Sequence, residues 1–236
     1  MATTKRPLLL IAGIGEGLGL KLAHSFAVGG HDVVGLARRS EPPAGVAEAV
    51  AASGGHYRHF VADLADPAAV SQVLRPLAPS VDVLVYNAQR LQIATVGEIE
   101  PETFEAVWRD GCFGAFLVAR ALLPVMAARG GGTAIFSGAT ASRRGGARFS
   151  AFASAKFGLR GLVQALAREF GPAGIHVTHV VIDGLIAAPQ TERRFGPAEG
   201  PRLDPAAVAA AYLALARQPA SAWTQELDLR SGSERY

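Results

Sequence analysis

Gly13, Gly15, Gly17 and Gly19 stand at alternate positions, between the apolar run at residues 8–11 and an amphipathic stretch at residues 18–28. A buried strand, a glycine-rich turn and a helix in that order form the context in which such glycines bind a dinucleotide. The glycines allow a tight turn, close approach of backbone to a pyrophosphate, and close helix–strand packing. The free N–H groups and the dipole of the new helix then face the phosphates. A glycine-rich turn without a ligand is the plainer alternative. Glu16 and Leu18 complete the turn. At residues 37–39, where dinucleotide sites with a free ribose carry an acid, the chain reads Ala37-Arg38-Arg39. Guanidinium groups pair with phosphate in a planar, charge-assisted way, so these arginines suit a 2′-phosphate. Glu16 stands against this, since a carboxylate in the turn repels that phosphate.

These residues need a scaffold, and the chain supplies one by alternation. Strands are expected at residues 33–37, 56–61, 81–86, 133–137, 175–182 and 227–229, with helices at 46–53, 66–77, 101–128, 150–170 and 204–217. Asp66-Pro67 and Asp204-Pro205 are helix starts, with Asp as cap and Pro in the first turn. Pro124 lies inside the longest helical stretch, so a kink or break is expected there. The pattern implies one α/β domain over residues 1–236: a doubly wound, Rossmann-like parallel sheet of about seven strands with helices on both faces. A ligand belongs at the carboxyl ends of the strands, where strand order reverses. Residues 188–203, rich in Gly, Pro and charge, read as a mobile lid over that site.

Composition narrows the classes. Half of the 236 residues are apolar and 18% are charged, enough for a large core. The net charge of +3 comes without a basic run, which disfavours nucleic-acid binding. The single cysteine, Cys112, forms no internal disulfide and builds no thiolate metal site. No apolar stretch is expected to reach membrane-spanning length, and the run after Lys5-Arg6 is too short for a secretory signal. The expected compartment is the cytoplasm.

The chain resembles the short-chain dehydrogenase/reductase family over nearly its whole length. Gly13, Gly17 and Gly19 match the glycines of its cofactor turn, with Ala12 where Thr is usual. Asp63, followed by Leu64, matches the Asp that holds the adenine. Asn87-Ala88 matches the centre of the family's Asn-Asn-Ala-Gly motif, within Tyr86-Asn87-Ala88-Gln89. Asp183-Gly184, with Ile186 beyond, replaces Pro-Gly after the sixth strand. The resemblance implies a nicotinamide cofactor bound by these residues, NADP(H) in preference to NAD(H), because Ala37-Arg38 follows NADP-preferring members.

The catalytic half departs from the family pattern. Phe152-Ala153-Ser154-Ala155-Lys156 stands where the family carries Tyr-x-x-x-Lys, so the phenol that serves as acid or base is missing. The substrate-binding Ser falls on Ala139, with Thr140 next to it and Ser137 and Ser142 close by. The water-holding Asn falls at about Gly111. Lys156 remains; the resemblance implies that it holds the nicotinamide ribose, and a snorkelling surface lysine is the alternative. A positioned acid or base supplies about 10²–10⁴-fold in rate, so its loss must be made good elsewhere or abolishes the reaction. Tyr86 is a substitute or a packing aromatic. Thr140 and Ser142 bind a substrate oxygen or shape a turn. Arg90, Arg143, Arg144 and Arg148 bind an anionic small-molecule substrate or stay solvated. Asp183 is a turn or capping residue beside the nicotinamide end. Three functions stay open: an NADP(H)-dependent oxidoreductase of a small carbonyl or alcohol, with an atypical proton source; a catalytically silent cofactor-binding protein; and a redox-neutral isomerase or lyase. The broad apolar faces of the two long helices, together with the resemblance, imply a homodimer or homotetramer.

Overall fold

The computed structural model describes residues 5–198 and 200–232; the two ends of the single-domain assignment, and Glu199 of the lid segment, lie outside them. Seven strands form one parallel sheet: β1 Leu8–Ala12, β2 Asp32–Ala37, β3 Tyr57–Val61, β4 Val81–Tyr86, β5 Gly132–Ser137, β6 Ile175–Asp183 and β7 Glu226–Arg230. Their spatial order is β3-β2-β1-β4-β5-β6-β7. The order reverses between β1 and β4, which pair Ala12 with Tyr86 at their carboxyl ends. That reversal opens the crevice that such sheets use for ligands.

Helices cover both faces. α1 Leu18–Val28, α2 Val46–Ala52 and α8 Pro205–Ala216 lie on one side; α3 Pro67–Leu77, α5 Gly114–Ala128 and α6 Ser150–Phe170 lie on the other. α4 Pro101–Trp108 precedes α5, and α7 Pro189–Phe195 forms part of the segment read as a lid. Because successive side chains of a strand point to opposite faces, β1 feeds both cores. Leu9 and Ile11 belong to the core layer of Phe26 and Tyr212, while Leu8 and Leu10 join the layer of Leu74 and Leu122. Asp66 caps α3 through the Ala68 N–H at 2.8 Å, and Asp204 caps α8 through Ala206 at 2.9 Å, contacts worth about 1 kcal/mol each.

Two sequence expectations need correction. The 101–128 stretch does not break at Pro124, which lies within α5. Pro124 is on the exposed side of the helix, so the Arg120 carbonyl that loses its N–H partner faces water. The irregularity falls earlier, as a π-helical turn at Arg109–Phe113. There the Asp110 carbonyl accepts a 2.6 Å hydrogen bond from the buried Tyr86 hydroxyl. The second correction concerns apolar length. Pro101–Ala128 is long and apolar enough to cross a membrane by composition, with an 18-residue window of mean hydropathy 1.8. More than half of that window is buried, against the sheet and α6, so its apolarity is that of a core helix.

Candidate active site

A cleft of about 800 Å³ runs along the carboxyl ends of β1, β2, β4, β5 and β6. Gly13, Gly15, Glu16, Gly17, Leu18 and Gly19 form its floor, and Arg38, Arg39, Asp63 and Leu64 line one end. Asn87, Ala88, Ala139, Gly184 and Ile186 line the other part. The spacing of these residues in the sequence therefore converges on one surface.

The glycine turn is built for close approach. Gly13 has a φ of +94°, and a Cβ there would lie 2.4 Å from the Ala88 nitrogen. A Cβ on Gly19 would meet the Ile14 backbone at 3.0 Å, so α1 could not seat so tightly on the turn. Gly15 has open space around it. No side chain caps α1 at Gly17; the Leu20 N–H is taken by the Gly15 carbonyl at 2.9 Å, which leaves the N–H groups ahead of it in the first turn to face the cleft. Asn87 ties the β4 turn to this cradle: its N–H donates to the Ala12 carbonyl at 2.8 Å, and its Nδ2 donates to the Gly13 carbonyl at 3.3 Å. Asp63 holds its own turn through the Ala65 N–H at 2.9 Å.

Ion pairs cross the end of the cleft lined by Arg38 and Arg39. Asp110 accepts a hydrogen bond from Arg90 at 2.9 Å and lies 3.6 Å from Arg38. Glu16 accepts from Arg193 of α7 at 3.1 Å and lies 4.0 Å from Arg39. The carboxylate of Glu16 is thus matched by guanidinium groups. Arg194 donates to the Leu91 carbonyl at 2.9 Å, so consecutive arginines of α7 fasten the lid segment to both banks of the cleft. Sequence pattern alone does not single out Asp110, Arg193 or Arg194. The charge of the lid segment was a signal for the arginines; for Asp110 the sequence carries none.

Phe152, Lys156, Thr140 and Asp183 stand behind the lining. Phe152 is buried with Ala141 and Ala153, against Leu91, Ala139 and Phe149. Lys156 is 1% exposed, and its ammonium donates to the Ser137 carbonyl at 2.8 Å. Its Nζ also lies 5.6 Å from the centre of the Phe152 ring. Burial pulls its pKa down to about 7. A solvated, snorkelling lysine is therefore not what the fold contains. Thr140 donates to Asp183 at 2.5 Å, and Asp183 pairs with Arg230 at 3.2 Å and Arg144 at 3.9 Å. Arg143 pairs with Asp228 and Arg90 with Asp110, so three of the four arginines considered for an anionic substrate already face carboxylates. Tyr86 is a packing residue whose hydroxyl proton is engaged, and burial drives its pKa upward. Beneath the Ser137–Ala139 backbone, His179 is buried, its Nδ1 lies 3.3 Å from Glu226, and burial lowers its pKa to about 4. The Ser137 side chain meets the buried Tyr212 hydroxyl at 2.8 Å.

A doubly wound parallel sheet with a glycine cradle at its switch point defines a Rossmann-type α/β protein. Residues 7–195 match the family model described as short chain dehydrogenase, and the chain belongs to that family. A short-chain dehydrogenase structure from Rhodopseudomonas palustris is 34% identical, with a TM-score of 0.83 over 97% of this chain and 100% of that one. A protein proposed to be an NAD(P)-dependent gluconate 5-dehydrogenase, from Beutenbergia cavernae, was solved with NADP at low occupancy. It is 26% identical, with a TM-score of 0.85 over 94% of each chain. The 3-dehydrosphinganine reductase TSC10B of Arabidopsis thaliana is 36% identical over 174 residues, 72% of this chain. The match spans about half the length of that reductase, 52%.

Proposed function

We propose that the protein is an NADP(H)-dependent oxidoreductase of a small carbonyl or alcohol, working without the phenol that the family pattern supplies. The cradle carries this reading: an uncapped α1, a turn open at Gly15, and Arg38 and Arg39 beside it. These features suit a dinucleotide diphosphate and a 2′-phosphate, and the NADP found in the Beutenbergia cavernae protein supports the same choice. When bound, such a cofactor supplies or accepts a hydride at a substrate carbon. Gly15, Gly17 and the N–H groups of α1 would hold its diphosphate, and Asp63 its adenine. Lys156 steadies the Ser137–Ala139 backbone from behind. With a benzyl ring at Phe152, the proton for the substrate oxygen comes from water or from the substrate itself.

One observation favours a second reading, a silent cofactor-binding protein. Phe152 is sealed in an apolar cluster, and the Lys156 ammonium is committed to a backbone carbonyl. Loss of NADPH absorbance with a panel of ketones and aldehydes separates the two. Protein-dependent oxidation of NADPH, with deuterium passing from labelled cofactor to product, is expected. Binding without turnover across the panel supports the silent protein instead.

A further inference from the structure

The adenosine end of the cleft holds two similar clusters, each a carboxylate between two arginines. In both, one arginine is hydrogen-bonded to the acid and the other is held by charge alone. Arg90 reaches Asp110 at 2.9 Å and Arg193 reaches Glu16 at 3.1 Å. Arg38 and Arg39 stand farther off, at 3.6 and 4.0 Å from the same carboxylates. Those longer contacts exceed hydrogen-bond length. Water reaches both contacts from the arginine side, where Arg38 and Arg39 are 55% and 85% exposed, although the Asp110 side chain is only 12% exposed; screening and length together leave each arginine weakly held. The tandem arginines are therefore the releasable members of each cluster.

We propose that Asp110 and Glu16 are exchange partners: they hold Arg38 and Arg39 over the cleft, release them to a 2′-phosphate, and so set the preference for a phosphorylated dinucleotide. The proposal rests on the cofactor reading above and goes beyond it, to residues that pattern did not assign. A phosphate dianion takes two guanidinium groups through short charge-assisted hydrogen bonds, stronger than the contacts given up. The exchange leaves no carboxylate bare, because Arg90 and Arg193 stay bonded to the acids. This answers the repulsion expected from Glu16. A dinucleotide with a free 2′-hydroxyl offers no charge to draw the arginines away, so both clusters stay as they are.

Arg90 allows a clean test, because it lies outside the cleft lining and is bonded to Asp110. Calorimetry would measure NADPH and NADH binding to wild type, Arg90→Ala, Asp110→Asn and the double variant in low-salt buffer. Arg90→Ala leaves Asp110 dependent on Arg38, so NADPH binding should weaken roughly five- to tenfold. NADH binding should stay within about twofold. Asp110→Asn frees Arg38 and should tighten NADPH binding by about two- to fivefold. In the Asp110→Asn background, Arg90→Ala should change NADPH binding by less than about twofold. Arg90→Lys, which keeps the charge, should resemble wild type. An Arg90→Ala loss that is equal for both cofactors, or that persists in the double variant, overturns the proposal while leaving the cofactor reading intact. A wild type that binds neither dinucleotide overturns both, and shows it before any variant is made.

Discussion

Replacing Lys156 with Met should stabilise the fold in neutral and acidic solution, and the gain should vanish as the pH rises. Lys156 is buried, and its ammonium donates to the Ser137 carbonyl at 2.8 Å. Desolvation lowers its pKa from 10.5 to about 7. At about 1.4 kcal/mol per pKa unit, holding the charged form in the fold costs on the order of 5 kcal/mol. Below pH 7 both folded and unfolded chains carry the charge, and the fold bears the full cost. Between about pH 7 and 10.5 the unfolded chain binds a proton that the folded chain does not, so wild-type stability rises with pH. Above that range both are neutral and the cost is gone. Met removes the titration but leaves the Ser137 carbonyl without its donor, a loss of about 1–3 kcal/mol. The variant should therefore be more stable than wild type by about 2–4 kcal/mol at pH 6.5. By pH 10 that lead should have disappeared or reversed, because wild type has regained about 4 kcal/mol. Urea unfolding of both proteins at pH 6.5, 8.5 and 10 measures the difference, and subtraction cancels the other titrating groups. A difference that does not change with pH would refute the reasoning, because the ammonium would then carry no burial cost.

Other outcomes follow from the same geometry. Arg38→Ala should weaken NADPH binding by roughly ten- to a hundredfold and leave NADH nearly unchanged, measured by calorimetry; equal losses would deny the arginine a phosphate role. Phe152→Tyr places a phenol beside Lys156 and should raise carbonyl reduction, by at most about 10²-fold, with Ala139→Ser adding to it in an NADPH absorbance assay. A wild type faster than both variants would show that the benzyl ring serves the site as it is. His179→Gln should flatten the acid limb of stability: the buried imidazole, lowered from 6.5 to about 4, resists charging, so wild type loses about 3 kcal/mol as pH falls through that window. Chemical unfolding at pH 7 and pH 4 reads this directly. Trp108, Phe116 and Phe157 are exposed aromatics on the α4–α6 side; Phe116→Glu with Phe157→Glu should convert an oligomer to a monomer in light scattering, and a wild type that is already monomeric would remove the basis for that interface.

Much of this molecule is legible in its sequence. Strand and helix alternation specifies the sheet because its central strands, such as β1, β4 and β6, are short, mostly apolar, buried runs, and capping by Asp66 and Asp204 marks two helix starts. The glycine turn is legible for the same reason: only residues without a Cβ allow Gly13 to meet Ala88. What escaped is side-chain direction. Spacing places Lys156 one helical turn from Phe152, but not whether its ammonium faces the cleft or the backbone behind it. Pro124 misleads because its effect depends on facing water, which one sequence does not display. Glu16 looked like a fault in a phosphate site because its partner Arg193 is remote in the chain and meets it only through α7. Asp110 gave no signal, since its role comes from a π-helical turn that no residue pattern announces.

The central claim is that the glycine-lined cleft binds a phosphorylated nicotinamide dinucleotide. The most direct measurement is a calorimetric titration of the wild-type protein with NADPH and, in the same buffer, with NADH. One site per chain is expected for both, with NADPH tighter by about tenfold or more, the value of one charge-assisted contact to the 2′-phosphate. No heat of binding with either dinucleotide would contradict the cleft's assignment, and equal affinity would contradict the role given to Arg38 and Arg39.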